Sequence, residues 1–274
     1  MKVVSPCIVR DLPVYRLAYE SLTRNLPEAA PHVITRRGDF GQFRNACGSG
    51  LTLLDEDGMV PGMTLAELRK HPLPFFPVGA GWYFQQFLKW AFADTCAADE
   101  GYLIWDADTI LLRPLEFRDA EGRTLLTTSA EFHQPYFETF EALFGKRPAE
   151  RISFISQHQW IEAGTLKELL GEIESRNPLG NGWAWTVIDH LRGKGTNLFS
   201  EYETYGHYCR LRHPGRCVLR TAPWTRAGRQ LAGFPPTPAK LQDLAEQYAF
   251  ASFESNRSIR GHCVHWLRKL SGWY

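Results

Sequence analysis

None of the six cysteines, Cys7, Cys47, Cys96, Cys209, Cys217 and Cys263, forms a Cys-x-x-Cys pair. The sequence therefore indicates neither a zinc knuckle nor a redox dithiol. Net charge is also scarce: 31 basic against 30 acidic side chains leaves +1, so no global field points to nucleic acid as the partner. No apolar run nears the ~18 residues of a membrane-spanning helix. The opening Met1-Lys2-Val3-Val4-Ser5-Pro6 is too short, and too soon broken by proline, to read as a secretory signal. Reduced thiols in the cytoplasm are the matching expectation. Internal repeats and low-complexity segments are missing as well. Acidic residues are absent from one long stretch, between Glu203 and Asp243, which holds Arg210, Arg212, Arg216, Arg220, Arg226, Arg229 and Lys240.

What remains is an ordinary globular composition: 274 residues, 44% hydrophobic and 22% charged, which argues against wholesale disorder. That size suits one α/β domain. Aromatic residues reach 13%, with nine tryptophans; core packing is the ordinary use of each, and stacking on a sugar or base is a use for the surplus.

Residues 2–9 are β-branched and nearly uncharged, the pattern of a buried strand. Asp11-Leu12-Pro13 follows as a helix start, with Asp11 as cap and Pro13 in the first turn. Residues 32–35 and 51–54 read as further strands, so the chain opens strand–helix–strand and predicts a mostly parallel sheet. A short helix is expected near Thr64–Lys70. Trp82, Phe84, Gln85, Leu88, Lys89 and Phe92 recur at helical spacing and predict a helix over 81–96. Residues 102–105 form a short apolar strand that runs into Asp106-Ala107-Asp108. Residues 124–128 read as a strand, 135–144 and 165–174 as helices.

Asp106 and Asp108 are the chemically informative pair. Two apart in an extended segment, they point to one side, and they stand where a strand ends, the edge at which open α/β sheets bind ligands. Two close carboxylates repel unless a cation lies between them. Hard oxygen donors suit Mn²⁺ or Mg²⁺, and such an ion would neutralise a departing nucleoside diphosphate. The bland alternative is a surface turn capped by Asp106, because an Asp-x-Asp triplet is common.

The run from Tyr102 through Asp106-Ala107-Asp108 to Arg113-Pro114-Leu115 resembles the Asp-x-Asp segment of glycosyltransferases with the GT-A fold. The helix from Gly81 to Lys89 and the segment Ser200-Glu201-Tyr202-Glu203-Thr204-Tyr205-Gly206 resemble those of a bacterial branch of that superfamily, the DUF6492 family. The resemblance spans about residues 2–220. It implies an α/β, GT-A-like domain with a central, mostly parallel sheet flanked by helices. It also implies transfer of a sugar from a nucleotide-diphosphate donor to a glycan or other cell-surface precursor.

On this reading residues 1–274 form one catalytic domain: a nucleotide-binding part over about 1–120, an acceptor-binding part over about 121–256, and a basic aromatic tail over 257–274. The metal would be held by Asp106 and Asp108, with His262, in Gly261-His262-Cys263-Val264-His265, as third ligand. The donor set is Asp106, Asp108, Lys89, Gln85, Pro6 and Arg10. For Lys89 the competing reading is a solvated surface lysine. An inverting transferase needs a base within reach of the acceptor hydroxyl; Glu201 is the first candidate, then Glu203, then Asp189. Ser200-x-x-Glu203 also fits a capping box, which would give Glu203 a structural task. Ser156, Gln157 and His158, expected to emerge from a strand over 152–155, are candidates for sugar or acceptor hydroxyls. The basic last third could grip phosphates of the donor or a lipid-linked acceptor, or rest peripherally on the inner membrane face. Two other functions fit parts of the pattern: a non-catalytic carbohydrate- or nucleotide-binding module, and a haloacid-dehalogenase-like phosphatase, whose first Asp attacks phosphate.

Overall fold

The computed structural model describes residues 1–254, apart from 74–75, 149 and 178–179. Its centre is a five-stranded sheet built from β1 (Lys2–Pro6), β2 (Ala30–Thr35), β3 (Thr52–Asp55), β4 (Gly101–Trp105) and β7 (His158–Glu162). The spatial order is β3-β2-β1-β4-β7. The first four strands are parallel and β7 runs antiparallel beside β4. Val3 and Val4 of β1 and Leu103, Ile104 and Trp105 of β4 are fully buried, as expected of central strands covered on both faces.

Two βα units make the first half. α1 (Leu12–Asn25) follows β1, and α2 (Phe40–Cys47) follows β2. Asp11 sits at the N-cap of α1 but makes no side-chain capping bond; its carboxylate instead accepts from Arg10 at 3.1 Å. α3 (Leu65–Arg69) has a complete capping box between Thr64 and Glu67. α4 (Phe76–Ala91) starts five residues before the expected Gly81 and continues as a 3-10 turn over Phe92–Thr95. Tyr83, Phe84, Phe87, Leu88, Trp90 and Ala91 are all buried, so α4 is a core helix with one polar stripe.

Beyond β4 a tight turn leads to β5 (Thr109–Leu111), and β6 (Thr124–Thr127) and α5 (Gln134–Phe144) follow. The expected strand over 152–155 does not form; that segment is irregular, with one bridge from Ser153 to Ser129. The strand begins at His158, the last of the three polar candidates. α6 (Ala163–Glu174), α7 (Trp183–Asp189) and α8 (Glu201–Arg212) complete the second half. β8 (Cys217–Arg220) pairs with β6. After β9 (Trp224–Thr225), α9 (Gly228–Ala232) and α10 (Pro238–Gln247), the chain returns as β10 (Phe250–Ser252), antiparallel to β5. Trp90, Trp105, Trp160 and Trp183 are buried, so core packing absorbs much of the tryptophan surplus.

Candidate active site

A cleft of about 710 Å³ opens at the carboxyl ends of β1 to β4. Trp82, Gln85, Gln86 and Lys89, at helical spacings of three and four, turn one stripe of α4 into it. The first turn of α8 enters from the opposite side. Ser200 caps that helix, its hydroxyl accepting the Glu203 amide at 3.3 Å. The free amide of Glu201 donates to Gln86 Oε1 at 3.0 Å, so a side chain from α4 satisfies one orphan donor of α8.

Lys89 lies at the bottom, only 4% exposed. Its ammonium donates to Asp106 Oδ1 and to Glu201 Oε1, both at 2.6 Å, and to the Tyr202 hydroxyl at 3.3 Å. Tyr202 donates to Asp106 Oδ1 at 2.7 Å, and its ring lies 4.5 Å below the ammonium. Burial opposes the charge on Lys89, but the two carboxylates overrule it and hold the ammonium's pKa above the ordinary lysine value. Burial pushes the Glu201 carboxyl up and Lys89 pulls against it.

Asp106 and Asp108 are not in an extended segment. They occupy a turn closed by Thr109 N–H on Asp106 O at 3.0 Å. Asp106 turns toward α4 and α8, whereas Asp108 turns toward β10 and accepts from the Ser252 hydroxyl at 3.4 Å. Both line the cleft. The Asp108 carboxyl is pushed up to about 7 by burial first, then by the charges of Asp106 and Glu254. Such crowding of negative charge is what a divalent cation relieves, and the donors are the hard oxygens that Mn²⁺ and Mg²⁺ prefer. The described residues contain no cluster of three metal-ligating side chains. His262 lies outside the described residues.

Gln157 reaches this edge because β7 is antiparallel. The start of β7 lies beside the end of β4, with His158 opposite Trp105 and Asp106 N–H on Gln157 O at 2.9 Å. The neighbours of its side-chain amide fix its orientation: the nitrogen donates to Asp106 Oδ2 at 3.1 Å and the oxygen accepts from Arg226 at 3.1 Å. Gln157 has φ of 65°, alone among the described non-glycine residues in being positive. Such conformations cost of order 1–3 kcal/mol and gather at functional sites.

Of the other candidates, Pro6, Arg10 and Gln85 line the cleft, while Ser156, His158, Glu203 and Asp189 do not. The Ser156 hydroxyl points to Phe154 O and His158 O. His158 is packed against Trp105, Phe117 and Phe250, and burial followed by Arg220 lowers its pKa to about 3. Glu203 is buried beneath the site, accepting from Ser153 Oγ at 2.6 Å and Phe154 N at 3.0 Å; it does not close the capping box. Asp189 ends α7.

Individual arginines of the acid-free stretch went unassigned in the sequence. Arg210 and Arg212 pair with Glu150 and Glu172, and Arg220 bonds Thr127. Arg226 and Arg229 reach the cleft, Arg226 pairing with Glu131 at 2.8 Å and Glu254 at 3.6 Å. With Arg10, Arg36 and Arg69 they set five guanidinium groups around the acidic floor. Tyr202 was missed as well; only its place between two singled-out glutamates pointed to it.

A family model described as "Family of unknown function (DUF6492)" matches residues 8–223. The chain belongs to this family. No curated protein matches it. Among solved structures, this DUF6492 member is similar to the galactosyltransferase LgtC in complex with donor and acceptor sugar analogs. Identity is 13%, covering 99% of this chain and 95% of that one, with a TM-score of 0.51. It is more distantly similar to mouse xyloside xylosyltransferase 1 in its apo form, at 13% identity over 94% and 98% of the two chains, TM-score 0.47. The glycosyltransferase GlyE of Streptococcus pneumoniae TIGR4 follows at 14% identity over 98% and 60%, TM-score 0.45. At such identities the likeness to LgtC speaks to fold: this DUF6492 chain is a GT-A-like α/β domain. No helix among its described residues is long and apolar enough to cross a membrane.

Proposed function

We propose that this chain is a glycosyltransferase that moves a sugar from a nucleotide-diphosphate donor to a glycan or other cell-surface precursor, dependent on a divalent metal. One observation supports this above the rest: on a GT-A-like sheet, the Lys89–Asp106–Glu201–Tyr202 network and Asp108 share the floor of one cleft rimmed by five arginines.

The residues divide the work as follows. Asp106 and Asp108 would hold Mn²⁺ or Mg²⁺, with His262 as the further ligand. Bound there, the ion supplies Lewis-acid stabilisation of the diphosphate leaving group. Lys89 and Tyr202 fix the Asp106 carboxylate in place before any ligand arrives, so no reorganisation is needed at the moment of reaction. Gln157 holds the second Asp106 oxygen and links it to Arg226. Arg226 and Arg229 offer planar, charge-assisted donors to the diphosphate, and Arg10 and Gln85 flank the donor.

Glu201 is the base. Lys89 occupies its Oε1 and favours the ionised form; Oε2 takes the proton from the acceptor hydroxyl as its oxygen bonds to the anomeric carbon. The bond from that carbon to the diphosphate breaks, and the electron pair leaves with the diphosphate. Residues 1–120 carry most of the donor side, joined there by Arg226 and Arg229, and the acceptor enters over about residues 121–256.

A thermal-shift panel of nucleoside diphosphates with and without Mn²⁺ tests the reading. Metal-dependent stabilisation by at least one of them is expected. No metal-dependent shift by any would sink it. Glycan binding that survives Asp108→Ala, without turnover of any nucleotide sugar, would make the chain a binding module instead.

A further inference from the structure

At the far end of the cleft a second polar group stands that the transfer chemistry does not use. Glu56 follows β3 directly. It is 8% exposed, yet it lines the cleft. Its amide donates to Thr35 O at 3.0 Å, which extends the β2–β3 pairing by one residue and fixes its place at the sheet edge. Arg36, the residue after β2, donates through Nε to Glu56 Oε1 at 3.4 Å. Glu56 Oε2 has no hydrogen-bond partner among the described residues. The Arg36 side chain is 57% exposed, and its terminal nitrogens bond none of the described residues. Between this pair and the acidic floor lies Ile8, 42% exposed and also lining the cleft.

The strand order gives the spacing. Along the carboxyl edge the chain presents Glu56 after β3, Arg36 after β2, Ile8 beyond β1 and Asp106 after β4. Neighbouring strands are about 4.8 Å apart, so three intervals put Glu56 about 14 Å from Asp106. A nucleoside diphosphate extended along this edge, with its diphosphate at Asp106, lays its base toward Glu56.

We infer that Glu56 and Arg36 read the base of the donor, and that the base is guanine. The inference rests on the nucleotide-donor reading above and deepens it. An ionised carboxylate only accepts hydrogen bonds. Guanine places two adjacent donors, N1–H and N2–H, on one edge, and a carboxylate matches both. Uracil offers one N–H between two carbonyl oxygens, and adenine and cytosine set a ring acceptor beside their amino group; each would bring an acceptor against Glu56. The free Arg36 donors suit guanine O6, and Ile8 offers an apolar surface to the ring face.

Titration calorimetry of the intact chain with Mn²⁺ and GDP, IDP, UDP, CDP and ADP tests this. IDP lacks only the N2 amino group. GDP is expected to bind tightest, with IDP weaker by roughly 10-fold or more, and Glu56→Gln should close the GDP–IDP gap. Equal binding of GDP and IDP, or tighter binding of UDP, CDP or ADP, would overturn the guanine assignment and leave the nucleotide reading standing. Binding of none of the five would overturn both. Should Glu56→Gln fail to fold, the GDP–IDP comparison on the unaltered chain decides alone.

Discussion

Replacing Lys89 by Met keeps the length of the side chain and removes its charge from between two carboxylates. Both ion pairs are short, at 2.6 Å, and the lysine and Glu201 side chains are 5% and 4% exposed. Removing one partner of a buried pair leaves an uncompensated charge and costs about 3–5 kcal/mol. That is a large share of the roughly 5–15 kcal/mol that holds a domain together. A double-mutant cycle separates charge from lost packing. With Glu201→Gln as the second change, the buried negative charge is gone, and the double variant should lose less than the sum of the singles by about 1–3 kcal/mol. Urea unfolding of the four proteins in metal-free buffer, followed by circular dichroism and tryptophan fluorescence, gives each value. A loss below about 1 kcal/mol for Lys89→Met, or strict additivity, would refute the view that Lys89 ties the acidic floor together.

Three further outcomes follow from the packing and charges. The Asp108 carboxyl, held at about 7, titrates above the ordinary carboxylate value, so its folded state loses stability as pH rises from about 4 to 7; Asp108→Asn should be more stable than the parent at pH 8, by about 2 kcal/mol at most because the group is partly exposed, and no different at pH 4. His158, lowered to about 3, must be neutral in the fold, so its contribution is complete above pH 6.5 and is lost as pH falls below it; the stability of the parent relative to His158→Gln should drop by about 2 kcal/mol between pH 7 and pH 5 in urea titrations. A Cβ on Gly206 would stand 2.4 Å from the Phe154 ring, so Gly206→Ala should lower stability by about 1–3 kcal/mol, read as a fall in Tm; an unchanged Tm would mean that α8 is not seated on the 153–155 segment.

The first half of the fold was legible because its signals are local. The strands expected over 2–9 and 102–105, the helical spacing from Trp82 to Phe92 and the short helix near Thr64–Lys70 all declare themselves within a few residues; the first strand ends at Pro6, short of the expected residue 9. The second half depends on distant pairings. Nothing near His158 announces that its strand runs antiparallel to β4, so Gln157 was picked out for emerging from a strand end when it stands before a strand start. The same limit hid β10, which joins β5 from 139 residues away (Phe250 opposite Leu111). At the site, Asp106, Asp108, Lys89 and Glu201 were readable as charged residues in patterned segments. Their mutual ion pairing was not, because 17 residues separate Lys89 from Asp106 and 112 separate it from Glu201. Glu203 shows the converse: its pattern fits a capping box, but Ser153 and Phe154 claim its carboxylate through tertiary contact.

Release of nucleoside diphosphate from a panel of nucleotide sugars distinguishes a metal-dependent transferase from a chain that only binds. It should be measured with Mn²⁺, with EDTA, and in Asp106→Asn and Asp108→Asn variants shown to be folded. Slow, Mn²⁺-dependent release from at least one donor is expected of a metal-dependent transferase, abolished by EDTA and reduced at least roughly 100-fold in each variant, the scale of losing a principal electrostatic contact to the leaving group. Release that is undiminished in both folded variants, or absent for every donor with metal present, would rule out metal-dependent transfer at Asp106 and Asp108.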